Sequence, residues 1–70
     1  MLSEISYITR AIPMDEDQPV EDYYYNDRED AIDHLNMLED SIGELYSMVE
    51  VIRFNWLTRS ETVDVSSLCF

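Results

Sequence analysis

Seventy residues carry sixteen carboxylates against four arginines and no lysine, for a formal net charge of −12 and a pI near 4.1. Nucleic acids and anionic membranes are held by Lys and Arg that displace counterions, so direct binding of DNA, RNA or lipid headgroups is excluded as the function. The length allows one domain, residues 1–70. With 46% hydrophobic and 11% aromatic residues and only three Gly plus Pro, that domain is expected to fold rather than remain a solvated tail.

No apolar run approaches the ~20 residues of a membrane span. The opening Met-Leu-Ser-Glu lacks the basic and apolar regions of a signal peptide. A lone cysteine, Cys69, suits a reducing compartment, so the cytoplasm is the expected location. One cysteine forms no disulfide within a chain, and His34 stands far from it in sequence, so neither a metal nor any other cofactor is expected. Small folds without such staples gain stability by oligomerising or by docking on a larger partner.

Residues 2–12 read as a strand, from their alternation and their wealth of strand-formers, although Ile5, Ile8 and Ile12 would also line a short helix. Pro13 ends either element. Residues 13–19 then form an acidic loop with a proline at each end. Its Asp15, Glu16 and Asp17 lack the glycine and closing glutamate of a calcium loop, so they are expected to be solvated. Val20 to Tyr25 reads as a second strand and completes a hairpin, with Tyr24 facing away from Tyr23 and Tyr25.

A helix over about 27–42 follows. Asn26 with Glu29 has the spacing of a capping box, and Asp27, Glu29 and Asp30 suit the positive end of the helix dipole. Ala31, Leu35, Leu38 and Ile42 recur as one apolar stripe, and Gly43 stands where a left-handed terminating residue belongs. On the opposite side fall Glu29, Asp33, Asp40 and Glu44, with Asp30 at the margin and no cation among them. Ordinary exposed helices mix both signs, whereas like charges at i, i+4 cost a few tenths of a kcal/mol each. A rigid row of anions resembles a row of phosphates.

Beyond Gly43 two continuations compete. Residues 46–56 are dense in strand-formers, which gives an α+β domain of ββαβ type: a hairpin, one amphipathic helix, then one or two strands. Leu35, Leu38, Ile42, Leu45, Val49, Ile52 and Trp56 also keep 4-3 spacing, which would give a mainly α chain with one helix over 27–57 and a coiled-coil dimer. In that alternative Leu38, Leu45, Ile52 and Trp56 mediate self-association. Residues 57–66 alternate weakly around Val63 and Val65 as an edge strand or extended tail, and 66–70 read as a flexible tail.

Nothing supplies catalytic machinery. His34 borders the helix stripe as a packing residue, Cys69 has no basic neighbour to activate it, and one glycine cannot build a phosphate loop. No catalytic residue is therefore expected. In size, charge and compactness the chain resembles the small acidic proteins that phages and mobile elements use against host nucleases, including DNA-mimic anti-restriction and anti-CRISPR proteins. The stretch Tyr-Tyr-Tyr-Asn-Asp-Arg-Glu-Asp-Ala-Ile-Asp-His-Leu also looks like a strand-to-helix joint of small phage proteins. The resemblance implies an inhibitor that occludes the basic groove of a nucleic-acid-handling enzyme in the host cytoplasm. Glu29, Asp30, Asp33, Asp40 and Glu44, with Asp15, Glu16 and Asp17, are the candidate contacts with that basic partner. The competing expectation is a self-associating assembly or regulatory protein, a homodimer whose charge only keeps it soluble.

Overall fold

Four segments rich in β-branched and aromatic residues pair into one antiparallel sheet, and the amphipathic segment lies across one of its faces. The computed structural model describes residues 4–68, as β1 (Ile5–Pro13), β2 (Glu21–Tyr25), α1 (Arg28–Glu39), β3 (Tyr46–Asn55) and β4 (Ser60–Leu68). The strand order is β2-β1-β3-β4. The α+β class and the order of hairpin, helix and strands follow the sequence expectation, with two strands after the helix.

The central strands β1 and β3 bury side chains on both faces, which explains why their sequences do not alternate cleanly. Thr9, Ala11, Val49 and Val51 point toward α1 and pack with Ala31 and Leu35, each at most 1% exposed. Small residues at 11 and 31 allow close approach of helix and sheet. There the Thr9 hydroxyl donates a 2.8 Å hydrogen bond to the Ala31 carbonyl, so its buried oxygen is satisfied. Leu35 is the helix's largest fully buried side chain, and burial of such a residue contributes roughly 1.5–3 kcal/mol.

The helix departs from expectation at both ends. Asp27, not Asn26, is the N-cap, and no side chain caps the first turn, so the Asn26–Glu29 box does not form. Glu29 and Asp30 still lie in that turn and favour it through the dipole. Regular helix stops at Glu39 rather than Ile42, and Asp40 is the C-cap. The Ser41 carbonyl then accepts from the N–H groups of Glu44, Leu45 and Tyr46. Gly43 adopts φ 94°, which a residue with a Cβ adopts only at a cost. The chain reverses there, and the Gly43 N–H donates to the Tyr46 carbonyl at 2.8 Å.

That reversal rules out one helix over 27–57. Residues 46–55 are strand because Val49, Val51 and Ile52 gain burial on two sheet faces, which a coiled-coil seam would deny them. The seam residues accordingly share no face. Leu38 is half-buried against the core, Leu45 is exposed in the reversal, Ile52 is buried on the far side of the sheet, and Trp56 begins the next turn.

The β4 strand also corrects the expected tail, since it continues through Leu68; Cys69 and Phe70 lie outside the described residues. A bulge decides its faces. Val51 pairs with Val65 but Ile52 pairs with Val63, which leaves Asp64 as the extra residue. Val65 therefore packs on the helix-side core while Val63 joins the opposite face, although simple alternation puts both valines on one side. No helix is long and apolar enough to cross a membrane among the described residues.

Candidate protein-binding surface

The core stripe fixes where the helical carboxylates point. With Ala31 and Leu35 inward, Glu29, Asp30, Asp33 and Asp40 are exposed on the outer side of α1. Glu44 is exposed too, but it stands in the reversal beyond the helix end instead of on the helix itself. At 1.5 Å rise per residue, Glu29 and Asp33 are about 6 Å apart along the axis, and Asp33 and Asp40 about 10.5 Å. Asn36 and Met37 occupy the gap, and Met37 is 66% exposed. The outer face is thus two anionic groups separated by a polar–apolar saddle rather than an unbroken row.

Asp15, Glu16 and Asp17 are exposed in the β1–β2 loop. Asp15 holds that loop through two contacts: its carboxylate accepts from the Asp17 N–H at 2.9 Å, and its carbonyl accepts from the Gln18 N–H at 3.1 Å. The Met14 N–H donates to the Leu45 carbonyl at 3.1 Å, tying the loop to the reversal after α1. This brings Asp15, Glu16, Asp17, Asp40 and Glu44 to one end of the molecule, while Glu29, Asp30 and Asp33 stay at the helix's other end. A shallow cleft of about 290 Å³ opens between loop and reversal, lined by Pro13, Gln18, Pro19, Glu21, Leu45 and Tyr46.

Two of the four arginines are committed elsewhere. Arg10 bonds Asp22 across the β1–β2 pair, Nε to Oδ1 at 2.8 Å, and its Nη2 lies 3.7 Å from Glu61. The hydrogen bond to Asp22 is the main reason its guanidinium is held above its usual pKa, against the opposing effect of burial. Arg28, on the sheet-facing edge of α1, pairs with the bulged Asp64 at 2.5 Å. Among the described residues, no ion pair or side-chain hydrogen bond engages Glu29, Asp30, Asp33, Asp40 or Glu44. Exposed pairs such as Arg28–Asp64 contribute little, about 0–1 kcal/mol.

A second group on the helix side went unanticipated. Tyr25 and His34 share a 2.7 Å hydrogen bond through the phenol oxygen and Nδ1. The His34 ring also meets Tyr23 edge-on, centroids 4.4 Å apart. The Tyr23 hydroxyl donates to Glu21 at 2.9 Å, and that bond raises the Tyr23 pKa. The same carboxylate raises Tyr46. These rings close the helix–sheet edge beside the short β2. Two features of the sequence do place them together: Tyr23 and Tyr25 fall on one strand face, and His34 borders the helix stripe. No group of three or more His, Cys, Asp or Glu side chains among the described residues is arranged to hold a metal ion. Comparison with known proteins finds no family model, no curated protein and no solved structure that matches this chain.

Proposed function

We propose that this chain is a protein-binding inhibitor that lays its anionic helix and the adjoining acidic end into the basic groove of a nucleic-acid-handling enzyme. What supports this reading above all is that Glu29, Asp30, Asp33, Asp40 and Glu44 are exposed and, among the described residues, in no ion pair, on or just beyond a helix held in place by Ala31 and Leu35. Carboxylates so held need little ordering on binding, which lowers the entropic cost of association. Opposite charge would steer the encounter and make it salt-sensitive. Inhibition would be competitive occlusion, with no chemistry performed on the partner. The reading fits an anti-defence role of phage type, acting in the cytoplasm of a host cell.

The test is capture of partners from lysate of the native host by the intact chain, repeated with added salt and with competing DNA or RNA. A nucleic-acid enzyme displaced by both is the expected result. The variant carrying Gln at 29, 33, 40 and 44 is expected to lose that capture. Should it capture the same enzyme as well as the unmodified chain, the helix is not the mimic.

A further inference from the structure

The sheet face opposite α1 has an apolar centre set among the charged Arg10, Asp22, Glu50 and Glu61. Ile8 and Ile52 are each 2% exposed there with no helix above them. Pairing sets them in one row across all four strands, with Tyr24 opposite Ile8, Ile8 opposite Ile52, and Ile52 opposite Val63. The row's ends stay open, Tyr24 at 60% and Val63 at 55% exposure. Beside it Trp56, 45% exposed, is fixed by a 2.8 Å hydrogen bond from its indole N–H to the Ser6 hydroxyl and by an edge-on contact with Phe54 at 4.7 Å. Arg10 starts beside Glu50 on the row's other flank, and its side chain runs across the row, bonded to Asp22 on β2 and 3.7 Å from Glu61 on β4, so this cation is bridged within the chain.

We infer that this face is the interface of a homodimer, with the two sheets stacked about 10 Å apart and the helices outermost. Charge and area both point to a second copy. Each chain carries −12, and the outer side of α1 exposes Glu29, Asp30, Asp33 and Asp40 with no ion pair among the described residues, so two copies repel least when those sides are turned away from each other. A basic partner is drawn to that helical side, which leaves the sheet face to an occupant not selected by positive charge. Tyr24, Trp56 and Val63 together leave roughly 350 Å² open. The half-buried Ile12, Met48 and Phe54 and the rim of Arg10, Glu50 and Glu61 widen that face toward the roughly 600 Å² per copy that the smallest stable interfaces bury. The second layer also supplies the cover that a 70-residue core lacks. Of the residues expected to self-associate, Ile52 and Trp56 belong to this face, whereas Leu38 and Leu45 do not.

Salt separates this proposal from the inhibitor reading. Screening relieves repulsion between two anionic copies, so dimerisation strengthens with salt, whereas capture of a basic partner weakens. Light scattering behind size exclusion, from low to high micromolar protein, is expected to give twice the 8.3 kDa chain mass, with the dimer persisting to lower concentration in high salt. Val63→Glu and Tyr24→Glu, each at an exposed position, are expected to return the single-chain mass with an unchanged circular dichroism spectrum. Met37→Glu on the helix should leave the dimer intact. Trp56 emission in the unmodified protein is expected to shift to the red on dilution, which reports the interface without any substitution. A single-chain mass at every concentration and salt, an emission spectrum that ignores dilution, or dissociation by Met37→Glu but not by Val63→Glu would each overturn the proposal and leave the helix reading standing.

Discussion

Asp40→Asn is expected to stabilise the fold, because Asp40 sits at the wrong end of its helix for a negative charge. It is the C-cap of α1, exposed, and no basic residue occupies the last turn. The carboxylate therefore faces the negative pole of the helix dipole, an arrangement that costs about 0.3–1 kcal/mol at low salt. Asparagine keeps the shape and removes the charge. In a domain of this size that gain raises the thermal midpoint by about 1–8 °C. The mirror substitution, Glu29→Gln in the first turn, gives up a favourable dipole interaction but relieves like-charge repulsion with Asp33, so its effect runs from none to a loss of about 0.8 kcal/mol. Circular dichroism melts in about 0.01 M and 1 M salt decide the cause, since the screening length contracts from about 30 Å to about 3 Å between them. The Asp40→Asn gain should shrink accordingly. A lowered midpoint, or a gain that survives 1 M salt, would mean that Asp40 acts through local structure, and the picture of uncommitted surface anions would be wrong. If the gain appears and the same substitution weakens partner capture, the charge is retained at the expense of stability for binding.

Leu35→Ala should cost about 2–5 kcal/mol by urea unfolding, against a total of roughly 3.5–10 kcal/mol for a chain of this length; a loss below about 1 kcal/mol would show that the helix does not anchor the core. Tyr23 and Tyr46 have pKa values raised above the usual 10, chiefly through hydrogen bonding to Glu21. Their protonated forms therefore favour the folded state, and that stability is present below pH 10 and lost as pH rises through their folded values. Glu21→Ala should bring the tyrosinate absorbance transition back toward that of free tyrosine and flatten the alkaline loss of stability, and an unmoved transition would contradict the Glu21 contact.

Local pattern was enough to locate most elements. The apolar spacing of Ala31 and Leu35, the proline-bounded acidic loop and the alternation of Tyr23, Tyr24 and Tyr25 each describe a short stretch whose neighbours lie within a few residues. The exact cap was not legible, because Asn26 and Asp27 are both competent caps and the path out of β2 chooses between them. The heptad spacing from Leu35 to Trp56 was present in the residues but carried no weight in the fold. Gly43 turned the chain, and two-sided burial offered Val49, Val51 and Ile52 more than a seam could.

Charge, the helix and its anionic side all follow from composition and from periods of two and 3.6 residues, which any reader of the sequence can count. Tertiary structure alone decided that Arg10 and Arg28 bind strand carboxylates and that no ion pair among the described residues engages the helix's outer carboxylates. It also joined the acidic loop to the end of α1, and a bulge at Asp64 sent Val63 and Val65 to opposite faces. Each of these depends on which strands become neighbours, and strand pairing is a competition among distant segments that local spacing does not encode.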